Sequence, residues 1–104
     1  MYYVYILSSI KQPGAIYIGY TSDLKLRLNE HNKAKGSHHS AKYASWKIET
    51  YLGFTDKSDA ESFERYLKSN SGKAFLRKRL ISNQFREALR RFNNGRDNNK
   101  ISET

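Results

Sequence analysis

The sequence contains no cysteine, which excludes disulfide bonds and thiolate metal sites and is compatible with a reducing compartment. It also lacks any apolar run approaching the roughly 20 residues that a membrane-spanning helix needs. The N-terminal stretch MYYVYILSS has no basic residue ahead of its apolar run and is typical of a first strand, not of a secretory signal. Together these absences predict a cytoplasmic protein without a membrane partner.

Acidic residues are scarce as well. The 104 residues include 19 Lys and Arg against 10 Asp and Glu, which gives a formal net charge of +9. Nine basic residues but only one acidic residue, Glu87, fall in the segment from Arg65 to Arg91. Such a block favours a polyanionic partner, with nucleic acid ahead of acidic lipid, although a basic surface that is merely solvated has the same composition.

Three segments predict the strands of a small antiparallel sheet. The first two, 2–8 and 15–20, flank a Pro-Gly turn and predict a hairpin. Counting back from the turn places Tyr5 opposite Tyr17, with the odd-numbered residues of both strands on one face. Alternation of apolar and polar residues from Trp46 onward predicts the third strand.

Three helices are predicted from caps and apolar periodicity. The first begins at Thr21 or Ser22 as the N-cap. The second begins at a capping box formed by Ser58 and Glu61. The third carries apolar residues among basic ones over about 73–92.

The elements follow the order β-β-α-β-α-α, which predicts an α+β fold with a small three-stranded antiparallel sheet flanked by helices. A chain of 104 residues accommodates one domain with one modest core. We place that domain at 1–92 and expect the polar segment 93–104 to be a disordered tail.

Five side chains are candidates for chemistry: Tyr5, Tyr17, Arg27, His31 and Glu64. The tyrosines share the predicted hairpin face, the arginine and histidine lie one helical turn apart, and the glutamate borders an apolar stripe. Each also has an ordinary structural explanation. The tyrosines pack, the arginine extends along apolar surface, the histidine is hydrogen-bonded, and the glutamate pairs with Lys68 four residues on.

Taken together, the five supply what hydrolysis of a phosphodiester requires. Glu64 can anchor one Mg²⁺, which needs few protein ligands and keeps several waters. Arg27 offers a planar fork that matches phosphate oxygens. A tyrosine is a poor base at its free pKa of about 10, but a nearby cation lowers that pKa.

The sequence resembles the GIY-YIG endonuclease family. The second half of the signature stands intact as Tyr17-Ile18-Gly19, and the first half is Val4-Tyr5-Ile6, with valine in place of the glycine. The stretch YIGYTSDLKLRLNEH is similar to the family's second strand and first helix, which places its arginine at Arg27 and its His/Tyr position at His31. The stretch AESFERYLKSNSGKAFLRKRL is similar to the metal-site helix, with Glu64 as the metal ligand.

The resemblance covers about residues 2–80 and is to the small stand-alone members, similar to the nuclease domain of the bacterial excision-repair incision enzyme. It implies a DNA endonuclease that depends on Mg²⁺ or Mn²⁺. Tyr17 would orient or deprotonate the attacking water, and Tyr5 and His31 would support that phenol or share the proton transfer. Arg27 would stabilise the phosphoryl transition state, and Glu64 would hold the metal.

The resemblance also leads to expectations about the substrate. Without a separate recognition domain, such a nuclease reads backbone shape, so branched, nicked or damaged DNA in repair or recombination is expected, with room for an unidentified protein partner. We expect Gly19 to keep the surface beside Tyr17 open to a phosphate. The residues predicted to contact DNA are Lys42, Lys68, Lys73, Arg77 and Lys78.

Two departures keep another interpretation open. Some relatives place a lysine after YIG, where this chain has Tyr20, and relatives usually carry a recognition domain. The alternative is therefore a nucleic-acid-binding module of the same fold that cleaves weakly or not at all. A weaker third interpretation makes the basic helix a membrane or protein-docking surface.

Overall fold

In the computed structural model, the chain is described over residues 1–33, 45–94 and 102–103. The strands are β1 (Tyr2–Ser9), β2 (Ala15–Thr21), β3 (Trp46–Phe54) and the short β4 (Ser102–Glu103). The helices are α1 (Leu24–Lys33), α2 (Lys57–Leu67), α3 (Asn70–Arg79) and α4 (Asn83–Asn94). None of the helices in these ranges is long and apolar enough to cross a membrane. The three main strands form the predicted antiparallel sheet, so the α+β fold is confirmed.

The strand order is β3-β1-β2-β4. Antiparallel pairing joins β1 to both of its neighbours, while β4 runs parallel to β2 beside Ala15 and Ile16. The predicted tail, 93–104, lies mostly outside the described residues; within it, α4 continues through Asn94 and 102–103 form β4. Because β1 is central, helices can cover it on both faces, which explains why both of its faces are apolar.

The predicted hairpin register is wrong by two residues. Tyr5 lies opposite Gly19, and Leu7 lies opposite Tyr17. The centre of the turn lies one residue later than the count assumed, because β1 extends to Ser9 and Gly14 reverses the chain at a φ of 96°. A two-residue change keeps every side chain on its face, so the odd-numbered residues still share one face.

Two apolar clusters lie on opposite faces of the sheet. The even-numbered face, with Val4 and Ile18, packs against the α2, α3 and α4 helices. The face that carries the odd-numbered residues of β1 and β2, such as Leu7, also carries Trp46 of β3. This face packs against Leu24 and neighbouring residues of α1. At the far end of the odd-numbered face the sheet is exposed to solvent, so the site described below lies where the α1 cover ends.

Both predicted N-caps are displaced in the structure. Asp23, not Thr21 or Ser22, caps α1, because its side chain accepts a hydrogen bond from the Leu26 amide at 3.1 Å. Asp56 caps α2 by accepting from the Ser58 amide at 2.8 Å, so the helix begins one residue before the predicted Ser58. Aspartate competes successfully with serine at both helix starts.

The predicted third helix over 73–92 is wrong: the structure has two helices there. The helical conformation is interrupted between α3 and α4. The Ser82 hydroxyl caps α4 by accepting a hydrogen bond from the Phe85 amide at 3.0 Å. Arg86 then donates to the carbonyl oxygens of Arg77 and Lys78, which end α3 without a helical partner.

A bulge in β3 places Glu49 beside Ser82, where α3 and α4 are separated. The pairing of β1 with β3 slips between Ile6 and Leu7, so that Glu49 is an extra residue in β3. Its carboxylate is 1% exposed and accepts from the Ser8 hydroxyl at 2.7 Å and from the Ser82 amide at 2.8 Å. Glu49 therefore joins the sheet to the start of α4, a role that the sequence did not reveal.

Candidate active site

The centre of the site is Tyr5, which is 2% exposed at the middle of β1. Its ring leans across to β2 and covers Gly19, where an added Cβ would lie 2.6 Å from the Tyr5 hydroxyl oxygen. Gly19 was expected to leave this surface open to a phosphate, but the ring of Tyr5 fills the space. The glycine is therefore required for the placement of a phenol.

A chain of hydrogen bonds joins Tyr5 to the α1 helix. Arg27 Nε donates to the Tyr5 hydroxyl at 3.3 Å, and that hydroxyl lies 3.1 Å from His31 Nε2. Burial raises the pKa of Tyr5 to about 12, against the lowering effect of the Arg27 hydrogen bond. Tyr5 thus keeps its proton at neutral pH, and the tautomer of His31 decides which of the two groups donates in the bond between them.

Tyr17 lies beside this chain with a different environment. Its ring is stacked on that of Tyr5, with centroids 6.2 Å apart, and meets the His31 ring edge-on at 4.3 Å. The side chain is half-buried, and no group in the described part of the chain makes a hydrogen bond with its hydroxyl. Of the two phenols, Tyr17 is the one whose polar end is available to a substrate.

Arg27 is held on two sides. Besides Tyr5, it contacts Glu30 through Nη1 at 3.1 Å, while Nη2 has no partner among the residues described. Burial lowers the pKa of Arg27, but the hydrogen bonds to Tyr5 and Glu30 outweigh it, so the pKa lies above its ordinary value. The guanidinium is one-third exposed and permanently charged, which suits it to a phosphate.

His31 is fully buried, so it lies deeper than the helix-edge position its sequence suggested. The next residue, Asn32, fastens this end of α1 to β3 through both the amide and the carbonyl of Trp46. The Trp46 ring then packs on His31 and Tyr17. Nothing in the local pattern marks Asn32, because its partner is distant in sequence.

Glu64 lies on α2 and forms an ion pair with Lys68 at 2.8 Å, one helical turn along. The ion pair with Lys68 that the sequence spacing predicted is therefore present. The negative charge of Glu64 is the smallest of the causes that raise the pKa of Tyr5. The structure groups Tyr5, Tyr17, Arg27 and His31 on one face of the sheet, whereas α2, which carries Glu64, packs against the opposite face.

The donor set around Glu64 fits a hydrated hard cation. Its side chain is 17% exposed, and Oε1 accepts no hydrogen bond from the described residues. No group of three or more His, Cys, Asp or Glu able to hold a metal occurs in the described ranges. One carboxylate with waters and phosphate oxygens is a coordination that Mg²⁺ accepts, whereas a structural zinc site requires four protein ligands.

Tyr20, which replaces the lysine of some relatives, faces α2. Its hydroxyl donates to Glu61 Oε2 at 2.8 Å, and this bond raises the pKa of Tyr20. Glu61 therefore joins β2 to α2 and does not complete a capping box. Because Tyr20 is an even-numbered residue, it lies on the opposite face of the sheet from Tyr17.

The residues predicted to contact DNA differ in their surroundings. Lys42 lies outside the described residues, Lys68 pairs with Glu64, and Lys73 is half-buried. Arg77 and Lys78 are exposed on the last turn of α3. Lys68 is exposed as well, so Arg77 and Lys78 differ from it in forming no ion pair with the described residues.

Comparison with known proteins identifies the family to which this chain belongs. The GIY-YIG catalytic domain matches residues 1–79. A UPF0213 protein of Streptococcus pneumoniae is 38% identical over 66 residues, which cover 64% of this chain and 65% of that protein. A UPF0213 protein of Lactococcus lactis subsp. cremoris is 30% identical over 92 residues, covering 85% of this chain and 92% of its own length.

A solved structure is also similar. The solution NMR structure of a UPF0213 protein from Bacillus halodurans has 27% sequence identity and a TM-score of 0.48, covering 84% of this chain and 94% of its own. The domain match includes all five candidate residues: Tyr5, Tyr17, Arg27, His31 and Glu64. With more than half of its length inside that match, the chain belongs to the GIY-YIG family.

Proposed function

We propose that this chain is a divalent-metal-dependent endonuclease that hydrolyses phosphodiester bonds of DNA. The observation that supports it most is the hydroxyl of Tyr17, which lacks a hydrogen-bond partner in the described chain and lies beside the linked side chains of Arg27, Tyr5 and His31. Membership of the GIY-YIG family supports a nuclease-like activity. The metal, the substrate and the role of each residue belong to the same proposal.

In this mechanism the Tyr17 oxygen accepts a hydrogen bond from the attacking water and orients it towards phosphorus. Arg27 stabilises the negative charge that develops on the phosphoryl oxygens, using the Nη2 group that Tyr5 and Glu30 leave available. Because the pKa of Tyr5 is about 12, this phenol keeps its proton and serves to position Arg27 and His31.

Glu64 would hold the Mg²⁺ or Mn²⁺ through a carboxylate oxygen. When bound, such an ion neutralises charge on the phosphoryl and leaving oxygens. Lys68 occupies Oε2 at 2.8 Å and leaves Oε1 without a described donor, so metal and ammonium compete for one carboxylate.

The substrate in this proposal is branched, nicked or damaged DNA, in repair or recombination. Exposed cations such as Arg77 and Lys78 contact phosphates, which position a duplex without reading its bases. The net charge of +9 supports a polyanionic substrate. Selection by the shape and deformability of DNA is consistent with such contacts.

Cleavage of a labelled panel tests the proposal. The panel contains single-stranded, nicked, flapped, forked and four-way-junction DNA, plain duplex and RNA, each with Mg²⁺, Mn²⁺ or EDTA. Glu64→Ala and Tyr17→Phe are compared with Glu87→Ala, a matched control because Glu87 also pairs with a basic residue of its own helix, Arg90, and this pair is exposed.

We expect metal-dependent cutting of DNA that Glu87→Ala preserves and that the two site variants reduce at least about 100-fold. Cutting that persists in EDTA, or that survives Glu64→Ala, contradicts the metal role. Cutting that survives Tyr17→Phe contradicts the role of the phenol.

The ion pair between Glu64 and Lys68 favours a second candidate, a nucleic-acid-binding module that cleaves weakly or not at all. In such a module the carboxylate serves the helix and not a metal. DNA binding without cutting on every member of the panel, unchanged by Glu64→Ala, would select this function.

A further inference from the structure

An exposed tyrosine, Tyr51, and a half-buried one, Tyr3, form an aromatic surface next to the candidate site. Tyr3 and Tyr51 meet edge-to-face, with ring centroids 5.8 Å apart and an interplanar angle of 73°. We call this pair the aromatic platform. Tyr51 is 54% exposed, the largest exposure of any aromatic side chain among the described residues, whereas Tyr5 beside it is 2% exposed.

The platform is continuous with the site. Tyr51 lies directly opposite Tyr5 across the β1–β3 pair, and Tyr17 stacks on the other side of Tyr5. Directly paired residues of an antiparallel sheet share a face, so Tyr51 and Tyr17 lie on one surface. With neighbouring strands about 4.8 Å apart, β3 lies roughly 10 Å from β2.

The sequence leaves room for this platform. Tyr3 is paired with Gly53, and an added Cβ on Gly53 would lie 3.4 Å from the Tyr3 ring and 3.2 Å from the side chain of Met1. The Tyr3 ring thus lies over Gly53, at ordinary van der Waals distance from the position of a Cβ. α1 packs against the other end of this face, near Leu7, and leaves Tyr51 uncovered.

We propose that the aromatic platform binds an unpaired nucleobase of the DNA substrate, in a nucleotide next to the one whose phosphate meets Tyr17 and Arg27. This inference rests on the proposed nuclease site and names its substrate: DNA with an unpaired nucleotide beside the scissile phosphate. A base inside a duplex has both faces stacked, so only an unpaired base can stack on Tyr51. Phosphate contacts supply affinity for any DNA, and the platform selects the unpaired strand.

DNA binding measured under conditions that prevent cleavage tests the aromatic platform separately from the proposed chemistry. The Glu64→Ala protein in EDTA is titrated with a labelled single-stranded oligonucleotide and with the duplex of the same sequence. In this background, Tyr51→Thr removes the ring but keeps a residue that favours strands, and Tyr51→Phe keeps the ring. Tyr66→Gln is the control, because Tyr66 is another exposed aromatic, 41% exposed, on α2.

We expect Tyr51→Thr to weaken single-strand binding about 5- to 150-fold, the measured range for one stacked base, and duplex binding less than about 2-fold. Tyr51→Phe and Tyr66→Gln are expected to bind as the parent does. Equal weakening of both DNA forms, or a Tyr51→Thr protein that binds single strands normally, overturns the platform. A Tyr51→Phe protein as weak as Tyr51→Thr also overturns it, since the hydroxyl and not the ring would then be the contact.

An abasic oligonucleotide supplies a second readout. Removing the bases is expected to weaken binding to the parent and to leave Tyr51→Thr almost unaffected, because that variant has already lost the stacking. Additive losses would contradict stacking on Tyr51. These binding results do not depend on cleavage, so the platform can stand if the nuclease proposal fails, and it can fail while DNA is still cut.

Discussion

The phenol ring of Tyr5 occupies the volume that a side chain on Gly19 would need. The two residues face each other across the β1–β2 pair, and an added Cβ at Gly19 would lie 2.6 Å from the Tyr5 hydroxyl oxygen. The hydroxyl is held in turn by Arg27 and His31. The glycine of the YIG segment thus fixes the position of the other tyrosine of the signature.

Gly19→Ala is expected to displace the Tyr5 ring and to lower cleavage about 100-fold, because a shift near 1 Å disturbs Arg27 and His31 together. Overpacking of this kind also lowers the free energy of unfolding by about 1–3 kcal/mol. Cleavage rates and denaturant unfolding measure the two effects.

Gly53→Ala is the matched control for this prediction. It is also a strand glycine beside a tyrosine of β1, but the atoms near an added Cβ lie at 3.2–3.4 Å and include the flexible end of Met1. We expect activity within about 2-fold of wild type. A Gly19→Ala protein as active as Gly53→Ala would show that the Tyr5 position is not critical.

Removing the Tyr5 hydroxyl is expected to lower stability, whereas removing the Tyr17 hydroxyl is expected to lower cleavage without lowering stability. Tyr5→Phe removes the hydrogen bonds of the Tyr5 hydroxyl with Arg27 Nε and with buried His31 Nε2, so the free energy of unfolding falls by about 1–3 kcal/mol. Tyr17→Phe breaks no hydrogen bond in the described structure, so stability stays within about 0.5 kcal/mol while cleavage falls at least about 100-fold. Equal stability losses in the two variants would mean that Tyr17 has a structural role.

Sequence patterns predicted the faces of the sheet better than its register. Period-two alternation keeps Tyr5 and Tyr17 on one face after a two-residue change of register, so the error in the turn did no harm. Alternation alone would have placed Tyr51 on the face opposite Trp46, and the bulge at Glu49 brings Tyr51 to the face of Tyr5. The spacing of Arg27 and His31 likewise predicted a shared helix face. Both predictions depend only on the local repeat of strands and helices and not on contacts between residues distant in sequence.

What the sequence could not show depends on distant partners. The buried carboxylate of Glu49 requires a bulge and the Ser82 amide, 33 residues away. Asn32 requires the backbone of Trp46, 14 residues away. Tyr5 was singled out from the sequence, but its pKa is raised by burial, which no local pattern encodes.

The raised pKa of Tyr5 predicts a specific pH dependence of stability. Folding favours the protonated phenol, since burial raises its pKa from 10.0 to about 12. This contribution is therefore complete below pH 10 and is lost as the pH rises towards 12; two pKa units correspond to about 2–3 kcal/mol. Tyr5→Phe cannot titrate, so its stability difference from wild type should shift by that amount between pH 9 and 12. A difference that stays constant over this range would contradict the shifted pKa.

Lys68→Gln tests the competition at Glu64. Removing the ammonium that lies 2.8 Å from the carboxylate should lower the Mg²⁺ concentration for half-maximal cleavage about 2- to 5-fold, the scale of an exposed ion pair. Saturating DNA keeps any phosphate contact of Lys68 out of the measurement. Lys57→Gln, an equal charge change at the exposed start of α2, is expected to leave the metal requirement unchanged. A higher requirement in Lys68→Gln would mean that the lysine assists the site.

Glu49→Ala should destabilise the fold more than any exposed glutamate substitution. The carboxylate is 1% exposed, and its loss leaves the Ser82 amide without its acceptor and the Ser8 hydroxyl without its partner. A buried group left unpaired costs about 1–3 kcal/mol, so two of them predict a loss of about 2–6 kcal/mol in denaturant unfolding. Glu87→Ala breaks an exposed pair with Arg90 and should change stability by less than about 0.5 kcal/mol. Similar losses in both variants would mean that the bulge holds β3 and α4 together without its carboxylate.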